Sequence, residues 1–113
     1  MLPDISDDLM RQILPTARDY CVIILKAGPK RYDPVMQKII WEHVRRNFSM
    51  RAQGLLSIVC PIDDSSDVRG IGIFNASVEE AKRLMDDDPG VKAGAFIYEV
   101  HPCKGFPGDC LPG

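Results

Sequence analysis

The sequence predicts a small α+β domain of ferredoxin-like architecture: a four-stranded antiparallel sheet, two helices on one face, and a short extra helix at the N-terminus. Three observations carry this. Four apolar, β-branched runs and two helical patterns follow one another in the order βαββαβ, the order of the split βαβ unit. The chain has 113 residues, enough for one domain and too few for two. Its composition is that of an ordinary globular protein, 45% hydrophobic and 27% charged.

The elements follow in order. Residues 4–14 read as a short helix capped by Ser6, with Leu9, Met10, Ile13 and Leu14 on its apolar side and Pro15 as its break. A helix this short needs something to dock on, its own body or a partner. Residues 19–28, DYCVIILKAG, form a strand apolar enough to lie centrally in a sheet. Asp33 and Pro34 cap and open a long helix over 34–53, stopped by Gly54. Residues 55–60 are the second strand, 61–67 a polar hairpin loop, and 69–75 the third strand. Ser77-Val-Glu-Glu80 is a capping box, so the second helix starts there and runs to about Asp87, ahead of Pro89. Residues 93–101 are the fourth strand. The organisation is a helical extension over 1–18, a domain over 19–102, and a Pro- and Gly-rich tail over 103–113.

Charge and composition exclude several classes. The net charge of −2 argues against a nucleic-acid binder. Residues 1–56 hold nine Lys/Arg against six Asp/Glu, and residues 57–113 hold five against ten. That asymmetry suits attraction between copies, or reflects surface composition alone. No apolar run approaches the length of a membrane span, and the acidic N-terminus lacks a signal-peptide core. A cytoplasmic protein is expected, with Cys21, Cys60, Cys103 and Cys110 as thiols.

The strands are apolar on both sides: Val22 and Ile24 face one way, Cys21, Ile23 and Leu25 the other. The helices cover one face of the sheet. No further layer remains in the chain for the other, so a homodimer stacked sheet to sheet is expected.

The long helix carries the candidate chemistry. Met36, Ile39, Ile40 and Met50 define its apolar stripe, which Trp41, Phe48 and Leu55 widen to one flank. His43 and Asn47 fall in the middle of that stripe, one turn apart. Buried polar groups need partners, since an unsatisfied one costs roughly 2–7 kcal/mol. On the second helix, Val78, Ala81, Leu84 and Met85 mark the apolar side, and extending the wheel puts Asp88 on it. Asp86 and Asp87 point away. Both helices share one face of the sheet, so Asp88 is a candidate partner for His43. A carboxylate there orients the imidazole for acid–base work, or the two form a satisfied structural pair.

At these residues the sequence resembles the YCII-related family of small dimeric α/β-barrel proteins. The matching elements are Ala27-Gly28-Pro29, His43, Arg51-Ala52-Gln53-Gly54-Leu55-Leu56, Ser77-Val-Glu-Glu-Ala81, and Asp88-Pro89-Gly90-Val91-Lys92-Ala93-Gly94, together spanning roughly 19–102. The resemblance implies a His–Asp pair, here His43 and Asp88, in a pocket near a dimer interface, with no assigned reaction. Fold transfers across such a resemblance better than chemistry does.

Other constellations are weaker. His101, Cys103 and Cys110 fit no established zinc spacing and lack a fourth ligand, so no metal or cofactor is expected. Gly70-x-Gly72 lies within a strand and reads as close backbone approach or a bulge, not a phosphate loop. Lys26, Arg51 and Tyr98 are secondary pocket candidates. Two expectations stand side by side. One is an enzyme acting on a small organic molecule by lyase, isomerase or dehalogenase-like chemistry, with His43 and Asp88 catalytic and Asn47 or Arg51 holding a substrate oxygen. The other is a non-catalytic ligand-binding or structural homodimer.

Overall fold

Ser6 caps the first helix, α1 (Asp7–Ile13): its hydroxyl accepts the Leu9 N–H at 3.1 Å. The computed structural model describes residues 1–113. In it α1 buries no residue, and Leu2, Ile5, Met10, Ile13 and Leu14 are exposed. The arm extends the molecule to 55 × 32 × 24 Å and its radius of gyration to 16.5 Å, against about 13 Å for a compact chain of this length. Of the two docking options open to this segment, its own body is therefore not the one taken.

After a 3-10 turn over Leu14–Thr16 come β1 (Arg18–Ala27), a second 3-10 turn over Pro34–Met36, α2 (Gln37–Ala52), β2 (Leu56–Pro61) and β3 (Val68–Phe74). Then follow α3 (Val78–Asp86), α4 (Pro89–Lys92) and β4 (Phe96–Gly105). The expected caps are present. Asp33 accepts the Val35 N–H, Ser77 accepts the Glu80 N–H, and Gly54 ends α2 with φ +77°. The sheet is antiparallel with strand order β2-β3-β1-β4, the ferredoxin-like arrangement.

Three features differ from expectation. Residues 89–92 form the short helix α4, which the sequence pattern did not single out. The fourth strand starts later than expected, at Phe96, and runs on to Gly105, taking the first residues of the expected tail into the sheet. Pro102 is tolerated there because β4 is an edge strand, where a missing N–H leaves no ladder bond broken on the open side. Trp41 and Phe48, which widen the apolar arc of α2 to one flank, are 65% and 48% exposed, so that flank is not buried.

Cross-strand register explains the two faces. Cys21, Ile23 and Leu25 lie opposite Phe74, Gly72 and Gly70 on β3, and opposite Pro102, Val100 and Tyr98 on β4. This face packs against the helices, whose buried residues include Met36, Met50, Ala81 and Met85. Full burial of each large apolar side chain contributes about 1.5–3 kcal/mol. The other face carries Val22, Ile24, Ile71, Ile73 and Ile97, and no element covers it. On the helix side, Gly70 and Gly72 offer α2 no side chain to pack against. The flank of α2 bearing Val44 and Phe48 consequently overhangs a gap rather than a core.

Candidate functional site

That gap is a cavity of about 280 Å³ between α2 and the sheet, walled mostly by apolar side chains. Gly70 and Gly72 contribute to one wall, while His43, Val44, Asn47 and Phe48 reach it from α2. Gly70 thus has a use beyond close backbone approach, leaving space in the wall, whereas Gly72 serves close approach: a Cβ there would stand 3.0 Å from Cδ1 of Leu56.

His43 is 5% exposed and Asp88 1% exposed. They meet across 45 residues of sequence, with Nδ1 of His43 at 2.8 Å and 2.9 Å from the two oxygens of Asp88. Asp88 reaches this position by a route other than the helical wheel. α3 ends at Asp86, and Asp88 adopts φ −69°, ψ 133° as the N-cap of α4, with Pro89 in the first helical turn. Its Oδ2 accepts the N–H groups of Gly90 at 2.9 Å and Val91 at 3.1 Å. The guanidinium of Arg46 stands 3.6 Å from Oδ1. The carboxylate is therefore fixed in place before it touches the histidine.

The imidazole is held on two more sides. Its ring packs against Phe96 with centroids 4.6 Å apart and planes at 40°. One turn along α2, Nδ2 of Asn47 lies 3.3 Å from Nε2. With a carboxylate accepting at Nδ1 and an amide donating toward Nε2, the consistent tautomer carries its proton on Nδ1. The Nε2 lone pair is then the basic one, held by a long 3.3 Å contact with the Asn47 amide that a molecule in the cavity can displace. An imidazole so arranged can take a proton from a molecule in the cavity and return it.

Gly90 is needed for this packing. A Cβ there would stand 2.6 Å and 2.9 Å from Phe96 ring atoms and 3.0 Å from Oδ2 of Asp88.

The structure brings His43, Asp88 and Asn47 together and leaves Arg51 outside. Arg51 is exposed, its guanidinium 5.8 Å from the Phe48 ring centre, and it does not line the cavity. Lys26 sits on the uncovered face of the sheet, paired with Glu99 at 2.6 Å, which raises the lysine pKa and lowers that of the glutamate. Tyr98 donates to Asp86 at 2.6 Å. Burial first, and that hydrogen bond second, push its phenol up to about 12.

Two cavity residues were not legible in the sequence: Arg31 and Arg69. In sequence each reads as an ordinary surface cation, one in a loop and one at a strand start. Cys21, Cys60, Cys103 and Cys110 are free thiols, and no three His, Cys, Asp or Glu side chains converge into a metal-binding group. Burial raises the pKa of the Cys21 thiol, which donates to the Ala76 carbonyl at 3.2 Å. No helix is long and apolar enough to cross a membrane.

Fold and site together define a ferredoxin-like α+β protein with a buried His–Asp pair opening onto an apolar cavity. Compared with protein-family models and with curated proteins, the chain has no match. Among solved structures it is similar to the 5-chloro-2-hydroxyhydroquinone dehydrochlorinase TftG from Burkholderia phenoliruptrix AC1100, in complex with 2,5-dihydroxybenzoquinone. The two superpose with a TM-score of 0.56 at 22% sequence identity, over 73% of this chain and 90% of that one. At that identity the likeness bears on the fold.

Proposed function

We propose that the protein is a small-molecule enzyme of YCII-related type in which His43 is the general acid/base. Asp88 sets its tautomer and orientation, and Asn47 contacts a substrate oxygen. The observation that carries this reading is the two-oxygen clamp on Nδ1, at 2.8 Å and 2.9 Å, beneath an imidazole that lines a cavity. A core histidine satisfied for packing alone needs no empty space beside it. The chemistry that fits is proton abstraction and return on a small organic molecule, as in an elimination or isomerisation, with no bound cofactor required. The dehydrochlorinase named on the similar structure makes halide elimination the first reaction to assay.

The test is turnover on a panel of chlorinated hydroquinones and unsaturated lactones, followed by chloride release and by incorporation of solvent deuterium. His43→Ala is expected to lower the rate by about 10²–10⁴-fold. A His43→Ala protein that keeps its rate refutes the assignment. The near-complete burial of the pair favours a second reading, in which His43 and Asp88 are purely structural. Under it His43→Ala lowers stability and leaves turnover or ligand binding alone.

The enzyme is read as a cytoplasmic homodimer. Support for the dimer comes from the uncovered apolar sheet face, where Ile97 is 52% exposed, and from the unsupported α1 arm with its apolar side chains in solvent. Sedimentation should give twice the chain mass. Ile97→Asp should shift the protein toward monomer.

A further inference from the structure

We infer that the cavity is built for a small organic anion with a planar, apolar body, held by Arg31 and Arg69. The inference rests on reading this cavity as a substrate site and names the class of substrate. Its basis is the charge of the wall. Arg31, Arg69 and His43 line the cavity, and no Asp or Glu does. The chain as a whole carries −2, so this concentration of positive charge is local.

Neither guanidinium is fully satisfied by the protein: each keeps a buried Nε without a partner. Arg31 forms no ion pair, and its buried Nε has no hydrogen-bond partner. Its position comes from stacking, with the guanidinium carbon 5.1 Å from the Tyr32 ring centre and 5.7 Å from that of Phe96. Phe96 is the same ring that packs on His43, so Arg31 and the imidazole share one support. Arg69 is held by its Nη2, which donates to the carbonyls of Asp64 at 3.0 Å and Ser66 at 2.5 Å. Its Nε too is buried without a partner, and its nearest carboxylate, Asp64, is 3.8 Å away at the surface. Both cations are thus pre-positioned at little further entropy loss. A cation with donors left over beside apolar walls gains from an incoming anion, and Arg31, which has no ion pair, gains most. The rest of the wall is apolar, which suits a ring or short conjugated skeleton. The 280 Å³ volume, near the lower end of the usual range of about 300–1,000 Å³, holds a single-ring compound.

The experiment is calorimetric titration of the purified chain with three probes of similar shape: benzoate, 4-nitrophenolate and the neutral benzamide. At least one anion is expected to bind ten times more tightly than benzamide, and which anion does so separates a carboxylate from a phenolate ligand. Arg31→Met should weaken that anion roughly ten- to a hundredfold, the worth of a charge-assisted hydrogen bond. Arg69→Lys should weaken it by a smaller factor while keeping the hairpin folded. Equal affinity for benzamide, no binding of either anion, or unchanged binding in Arg31→Met overturns the inference. The comparison among probes uses the unaltered protein and so does not depend on any variant folding. His43→Ala keeps both arginines. If it retains both anion binding and turnover, the catalytic assignment fails and the anion site stands. If anion selectivity is absent while His43→Ala abolishes turnover, the reverse holds.

Discussion

Replacing Asp88 by asparagine keeps the shape of the side chain and changes what it offers the histidine. The two backbone N–H groups of Gly90 and Val91 are fixed donors, so the single oxygen of an asparagine must stay on them. Its NH₂ then takes the place of Oδ1, facing Nδ1 of His43. The remaining oxygen, 2.9 Å from Nδ1, already holds two backbone N–H groups, so the imidazole does better by accepting from the NH₂ at Nδ1. That moves its proton to Nε2 and turns the Asn47 amide, 3.3 Å away, so that its oxygen faces the proton. The lone pair at Nε2 is lost. Nitrogen-15 shifts of the imidazole should report the Nδ1–H tautomer in the parent and the Nε2–H tautomer in Asp88→Asn. Turnover should fall by about 10²–10⁴-fold. Stability should fall by only about 1–2 kcal/mol, because a charged acceptor is exchanged for a neutral group while the cap is kept. Asp88→Ala is harsher. It removes the cap of α4, about 1 kcal/mol, and the charge-assisted bond to His43, about 2 kcal/mol, for a total near 3 kcal/mol. At roughly 4 °C per kcal/mol that is a fall in Tm of about 12 °C, measurable by circular dichroism. An Asp88→Asn protein whose His43 keeps its tautomer, or an Asp88→Ala protein that melts within about 2 °C of the parent, refutes this account of the site.

Other outcomes follow from the same geometry. Gly90→Ala drives a methyl against the Phe96 ring at 2.6 Å and against Asp88, so chemical denaturation should show a loss of about 1–3 kcal/mol, with turnover lowered as well. Gly70→Val should have the opposite profile: a Cβ there meets only ordinary contacts at 3.5 Å and beyond, so the fold should tolerate it while binding in the partly filled cavity falls. The raised pKa of Tyr98 predicts an alkaline weakness. Its stabilising contribution is complete below the ordinary tyrosine range near 10 and is lost as pH rises toward about 12. Thermal melts across that window should fall more steeply in the parent than in Tyr98→Phe, and parallel slopes would remove Tyr98 from the account.

Much of the candidate site was legible from residue 43 alone. A histidine centred on an otherwise apolar helical stripe demands a partner, and that demand led to Asp88. The residue was right and the route was not. The wheel of α3 was extended across a helix end, whereas Asp88 points inward because it caps the next helix. The signal was present in Asp88-Pro89, an N-cap residue followed by proline at the first helical position. Arg51 shows the opposite case: a helix-end cation near the stripe in sequence, it turns to solvent over Phe48 while Arg31 and Arg69 take the cavity. Trp41 and Phe48 were read as widening the apolar flank of α2 because helical periodicity records which side is apolar. It does not record whether the neighbour beneath has a side chain to offer.

What the sequence by itself determined is the order of elements, their caps, the face each strand and helix presents, and the presence of one polar residue where an apolar one belongs. These depend on interactions within a turn or two of chain, which period, capping residue and chain-breaker encode locally. The tertiary structure alone decided how Asp88 reaches His43, that β3 at Gly70 leaves a cavity under α2, and that Arg31 and Arg69 face it with a buried Nε each unsatisfied. Each of these joins residues far apart in the chain, and their meeting is set by strand register and by where α2 lies over the sheet, quantities that no local pattern carries.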